Sequence, residues 1–187
     1  MSVSLSSIET KVRALIEDNS QTGIDLFTYE NSSVFTLSED NVISVSTVYV
    51  NSSELDSNEW SYDSSYNKVT ITSSLSIGDT IEIHYTYYPN YSSSIIQKYI
   101  QAALVHISAN NYKTFVVQNS NVYPEPSEEE TNLIALIAAI IIKPDNQSIR
   151  LPDVSVVAPR DVPTNVKIAQ TIAHFKQNSH GVFEILG

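Results

Sequence analysis

Thr80-Ile81-Glu82-Ile83-His84-Tyr85-Thr86-Tyr87-Tyr88, followed by Pro89-Asn90 and the serines 92–94, is the stretch on which the fold turns. Ile81, Ile83, Tyr85 and Tyr87 fall on one side of an extended chain, and Glu82, His84, Thr86 and Tyr88 on the other, the period of a half-buried strand. Pro89 then removes a ladder donor and ends the strand. Beyond the serines, Ile95, Ile96, Tyr99, Ile100, Ala103, Leu104 and Ile107 recur at helical spacing, which predicts a helix over 92–114 capped by Ser92, Ser93 or Ser94. The period changes from two to 3.6 at residue 89.

Upstream of that switch the period of two persists. Lys68-Val69-Thr70-Ile71-Thr72 alternates, Gly78-Asp79 supplies a turn, and Asp63-Ser64-Ser65-Tyr66-Asn67 bends the chain back from Trp60–Tyr62. Val42 to Val50 is strand-like, but its apolar phase slips near Ser46-Thr47, the mark of a bulge. Before this block, Leu5, Ile8, Val12, Leu15 and Ile16 form one apolar stripe, giving a helix over 5–18, and Ser6 with Glu9 has the spacing of a capping box.

Downstream, residues 118–126 read as a loop rich in Asn, Ser and Pro. Ser127 with Glu130 opens a helix that runs to Ile142 and stops at Lys143-Pro144, with Glu128, Glu129 and Glu130 at its positive N-terminal end. Apolar nearly all round, it is the expected central helix. Residues 147–163 read as an extended connector with one short strand at Val154–Val157. A last helix follows at 164–178, with Val166, Ala169, Ile172, Ala173 and Lys176 in its pattern. The expected fold is α+β: a helical body of about four helices, residues 1–22 and 89–146, with an antiparallel β module, 23–88, inserted between the first and second helices. Residues 147–187 form the connector, the terminal helix and an extended tail, Val182 to Gly187.

Composition removes several functions. The 187 residues include no cysteine, so thiolate chemistry and cysteine-held metals are excluded. A formal charge of −11 argues against ordinary nucleic-acid binding, which draws on clustered Lys and Arg. The most apolar run, Leu133 to Ile142, is half the ~20 residues a bilayer requires. Met1-Ser2-Val3-Ser4-Leu5 lacks the pattern of a secretory signal, so the expectation is a chain used without general export.

No catalytic, cofactor or metal site is expected, and the chain reads as no enzyme. His84, His106, His174 and His180 make no ligand-spaced pair. Four glycines, Gly23, Gly78, Gly181 and Gly187, are too few and too scattered to build a phosphate-cradling loop. Asp56 with Glu59 and Glu39 with Asp40 read as solvated turn carboxylates. Tyr49, Trp60, Tyr62, Tyr66, Tyr85, Tyr87, Tyr88 and Tyr91 concentrate in the β module. They fill its core and cross-strand pairs, anchor a protein interface, or stack on sugar.

The module's pattern is Val48-Tyr49-Val50-Asn51, Trp60-Ser61-Tyr62-Asp63, Val69-Thr70-Ile71, Gly78-Asp79-Thr80-Ile81-Glu82-Ile83 and Tyr85-Thr86-Tyr87. It resembles small β modules of tailed-bacteriophage structural proteins, which also occur in fibres and baseplates. With a helix before it and a long helix from Ser92, residues 1–143 resemble the head-to-tail connector (adaptor) proteins of that group. The resemblance implies a structural virion protein, assembled in the cytoplasm of the bacterial host. It implies a ring, usually dodecameric, beneath the portal protein and against the tail or the next connector, with DNA passing through and not specifically bound. Phe183, Ile185 and Leu186 in the apolar tail, with Tyr87 and Tyr88, are the expected protein-interface residues, the tail by strand addition to a neighbour. No membrane partner and no cofactor is expected. The alternative is a receptor- or glycan-binding module of a phage tail or fibre, using the tyrosine-rich sheet.

Overall fold

A computed structural model of the chain describes residues 3–144, 148–150, 155–157 and 162–180. In chain order the elements are β1 (Val3–Ser4), α1 (Leu5–Ile16), β2 (Gln21–Thr28), β3 (Val34–Thr36), β4 (Val42–Val50), β5 (Ser53–Glu54), β6 (Trp60–Asp63), β7 (Lys68–Ile71), β8 (Thr80–Tyr87), α2 (Ser93–Ala109), β9 (Val116–Gln118), β10 (Asn121–Tyr123), α3 (Glu128–Ile142), β11 (Ser148–Arg150), β12 (Ser155–Val157) and α4 (Thr164–His180). The fold is α+β, all its described strand pairs are antiparallel, and β2 to β8 are inserted between α1 and α2. Two compact units result: Asn19–Ser92, and Met1–Asp18 together with Ser93–Gly187.

In the helical unit, α3 is the centre. Residues 133–140 are all buried, and α1, α2 and α4 each pack on it. Its N-terminus is closed by both halves of the expected capping box: Glu130 N–H donates to Ser127 Oγ, and Ser127 N–H donates to Glu130 Oε2. The stripe Leu5, Ile8, Val12, Leu15 and Ile16 of α1 is buried as its spacing demands. Its cap differs from expectation. Ser4, not Ser6, accepts the Ser7 N–H, because β1 holds Ser4 extended, and Glu9 turns inward to Arg13 instead. The helix stops at Ile16, two residues early, where Glu17 adopts a left-handed backbone and Asp18 N–H returns to the Arg13 carbonyl.

α2 also ends short of residue 114, at Ala109, since Asn111 is left-handed and the Asn110 side chain donates to the His106 carbonyl. Ile96, Ile100, Ala103, Leu104 and Ile107 are buried, whereas Ile95 is exposed and Tyr99 only half-buried. The stretch expected as a loop over 118–126 contains half of a hairpin. β9 and β10 meet at Asn119-Ser120, both at positive φ, as a two-residue turn of this hand requires. β1 adds to β10, giving the order β1-β10-β9. β12 covers most of the strand expected at Val154–Val157, but it pairs with β11 and so is not alone. In α4 the buried residues are Lys167, Ile168, Thr171 and Ile172; Val166 and Ala173 are exposed and Ala169 half-buried. The large side chains Ile168, Ile172 and Phe175, four and three residues apart, set the packing phase in place of the smaller alanines.

The β unit is two sheets around one core. One has the order β2-β8-β4-β5, the other β3-β7-β6. Val48, Ile81, Ile83 and Tyr85 of the first meet Phe35, Val69 and Ile71 of the second, with Phe27, Trp60, Tyr62 and Tyr87 at the margin. The β8 alternation is as read from sequence. β4 slips register twice, between Val42 and Ser44 and between Val45 and Thr47, which places a bulge where its apolar phase falters. β2 starts at Gln21 and turns its residues unexpectedly: Asp25 and Phe27 inward, Ile24 and Leu26 outward. Gly23 explains this, because it lies opposite Tyr85 and the tyrosine ring occupies the space of its missing side chain; an added Cβ would stand 2.5 Å from that ring. Tyr85 Oη then donates to Asp25 Oδ1 at 3.2 Å, and Asp25 also accepts the Ser38 N–H and hydroxyl, each at 2.7 Å.

Candidate interaction surfaces

Among the described residues no group of His, Asp and Glu could hold a metal ion. His84 pairs with Glu82 and its ring lies 5.3 Å from that of Tyr49, on the outward face of β8. His106 belongs to α2 and His174 to α4. Asp56 and Glu59 close a turn, the Asp56 N–H donating to Glu59 Oε2 at 2.9 Å. The Glu39 carbonyl accepts from Asn67, which also receives the Tyr62 hydroxyl. Of these carboxylates, that of Glu59 closes its own turn.

The aromatic residues divide unevenly. Tyr85 is buried, Trp60, Tyr62 and Tyr87 pack on the core, and Tyr49, Tyr88 and Tyr91 are half-buried; Tyr66, at 70% exposure, stands out alone. Of the expected interface residues, Tyr87 donates to Gln21 Oε1 and Tyr88 N–H donates to the Asn41 carbonyl. Tyr87 thus bonds within the module through its side chain, and Tyr88 through its backbone. Phe183, Ile185 and Leu186 lie outside the described residues.

Two apolar surfaces escaped the sequence reading. On β2, an edge strand, Ile24 and Leu26 are 56% and 74% exposed. In the helical unit, Leu104, Val105, Ser108 and Ala109 of α2 face Phe115 and Val117 across an open groove. The second surface depends on the β9–β10 hairpin, so no linear pattern announces it.

Charge separates the two units. Residues 19–92 hold ten carboxylates against a single lysine, Lys68, and so carry nine of the chain's eleven net negative charges. The helical unit has nearly balanced charges and turns its cations inward. Arg13, 4% exposed, pairs with Glu9 and with the fully buried Asp18. Lys11 reaches Glu128, and Lys113 holds Glu130 at 2.9 Å. Three further lysines sit where helices end: Lys143 donates to the Ile16 carbonyl after α1, Lys176 to Asn110 after α2, and Lys167 to Pro144 after α3. An ammonium at a helix C-terminus satisfies free carbonyls and the negative end of the dipole together. Lys68 and Lys98 are exposed, and Lys68 lies over the Tyr66 ring.

Three titrations report these arrangements. Burial opposes ionisation of Glu130, yet hydrogen bonds from Lys113, the Ser127 amide and Tyr112 outweigh it and hold the carboxyl below its usual range. Burial, then the adjacent Glu130 charge, pushes the Tyr112 hydroxyl up to about 12. In the β unit, the Ser76 amide and then Asn51 lower Asp79, whose carboxylate ties the β4–β5 turn to the turn before β8.

No known protein-family model matches the chain, and no curated protein matches it in sequence. No described helix is long and apolar enough to cross a membrane.

Proposed function

We propose that the chain is a structural subunit of a tailed-phage virion: a head-to-tail connector that forms a ring beneath the portal protein, contacts the tail or a further connector, and lets DNA pass. The observation that carries this reading is the use of charge. Residues 19–92 offer one lysine against ten carboxylates, and the helical unit engages most of its cations internally. Such a surface gives a phosphate backbone almost no counterion release and repels it at short range, as a conduit for DNA requires. In this reading the partners are about twelve copies of the chain and the neighbouring virion proteins, engaged by contact surface, without a cofactor or a chemical step.

The glycan-binding alternative asks for several rings on an open sheet face, and Tyr66 is the single strongly exposed tyrosine of the cluster. Electron microscopy of the concentrated protein, and of particles that contain it, tests the proposal. A ring of twelve with an open channel is expected. A monomer or trimer with measurable sugar affinity, absent from the head–tail junction, contradicts it.

A further inference from the structure

The outer edge of β9 faces no described strand, because the sheet order places it last. Its backbone amides and carbonyls on that side are therefore open to another chain. Alongside runs the groove between α2 and the β9 segment, with apolar walls from Leu104, Val105, Phe115 and Val117. Val105 stands 68% exposed at its rim. A free strand edge beside an apolar groove fits an extended peptide: the backbone pairs with the edge, and alternate side chains enter the groove.

The chain itself contains a segment of this kind. In Val182-Phe183-Glu184-Ile185-Leu186, Phe183 and Ile185 fall on one face of an extended strand and Glu184, the only charge, on the other. The path of α4 sets where the segment leaves the helical unit. Lys167, near the start of α4, reaches Pro144 beyond α3, whereas Phe175 packs edge-on against Tyr112 and Lys176 donates to Asn110 and Asn111. Tyr112 in turn bonds Glu130 at the N-terminal end of α3, so α4 runs antiparallel to α3. It ends at the pole of the unit where α2 stops and the β9 segment begins. Residues 181–187 can span about 23 Å when extended, enough to leave one copy and cover the three-residue edge of another.

We infer that residues 182–186 of one copy add as a strand to the outer edge of β9 in a second copy, with Phe183 and Ile185 entering the groove beside α2. The inference rests on the connector reading, since a ring needs a contact passed from each copy to the next. Donor and acceptor here are different surfaces of one chain, so the contact is heterologous and repeats around a closed ring.

The absence of cysteine makes the test direct. Val105→Cys and Ile185→Cys, prepared separately, mixed and oxidised, should give a disulfide-linked heterodimer. The double variant should give a ladder of linked oligomers. Tyr66→Cys, on the exposed tyrosine of the other unit, serves as the control partner and should not link. A second variant, Val105→Asp, places a charge in the groove at an exposed position and should return sedimenting oligomers to monomers. Linkage no greater than the Tyr66→Cys control, linkage confined within one chain at every concentration, or unchanged oligomers in Val105→Asp would each overturn the inference. Counting subunits by microscopy separates the two claims. A ring of twelve without this linkage removes the strand contact alone, and linkage in open, uncounted chains removes the ring alone.

Discussion

The helical unit and the β unit reach stability by opposite routes. The helical unit buries charge: the Glu9–Arg13–Asp18 cluster lies inside, and lysines close the ends of α1, α2 and α3. The β unit buries almost none, enclosing aliphatic and aromatic side chains between two sheets and leaving its carboxylates exposed or half-buried. Long-range repulsion among exposed carboxylates is modest at physiological salt. A sandwich held by apolar burial can therefore tolerate nine net negative charges, whereas a bundle built on ion pairs requires near balance. In this protein the net negative charge is concentrated where the fold depends on it least.

The comparison can be broken one unit at a time, because the sole tryptophan, Trp60, reports on the β unit and far-ultraviolet circular dichroism reports mainly on the helices. Arg13→Met should have the largest effect. Removing the guanidinium strands two buried carboxylates, which costs about 3–5 kcal/mol. Urea titration should show the helical transition at much lower denaturant, with the Trp60 transition unmoved. Equal shifts in both signals would show that the units unfold as one.

Gly23→Ala should act on the other unit. The new methyl group meets the Tyr85 ring, which is anchored by Asp25 and Ser38, and such overpacking costs roughly 1–3 kcal/mol. The Trp60 transition should move and the helical one should not.

Glu130→Gln should be milder, about 1 kcal/mol, because an amide keeps the capping acceptor but loses the charge-assisted bond from Lys113. Its larger use is in pH dependence. The carboxyl is held below its ordinary value of 4.5, so the ionised form is favoured by the fold. The associated stability is present above that ordinary value and disappears as pH falls through the depressed one. Helical-unit stability should decline below about pH 4.5 in the parent chain, and Glu130→Gln should flatten that decline. For Tyr112 the sign reverses: its hydroxyl is raised from 10 to about 12, so its contribution holds below pH 10 and fades as pH rises toward 12.

Where sequence and structure agree, local chemistry and packing ask for the same thing. The Ser127–Glu130 box, the β8 alternation and the β4 phase slip were all legible because each is written within a few residues. The failures are non-local. Ser6–Glu9 has the spacing of a capping box, but β1 pairing with β10 makes Ser4 the cap and Arg13 claims Glu9. The β9–β10 hairpin turns on Asn119-Ser120, which lacks the glycine that signals such turns. Ile24 and Leu26 point outward only because Gly23 must accept a ring from β8. The candidate surfaces follow the same rule: a groove made by a helix and a distant hairpin leaves no linear trace, whereas Tyr87 falls in the inward phase of β8 with Ile81, Ile83 and Tyr85, and it packs on the core.

DNA affinity measured at low salt tests the charge account most directly. Titrating the assembled protein against double-stranded DNA in roughly 20 mM salt, where a Debye length exceeds 20 Å, maximises any phosphate contact. No retention at any salt concentration is predicted. Saturable binding that weakens steeply as salt rises would mean that a cationic surface forms on assembly, and would contradict a conduit that lets DNA slide past.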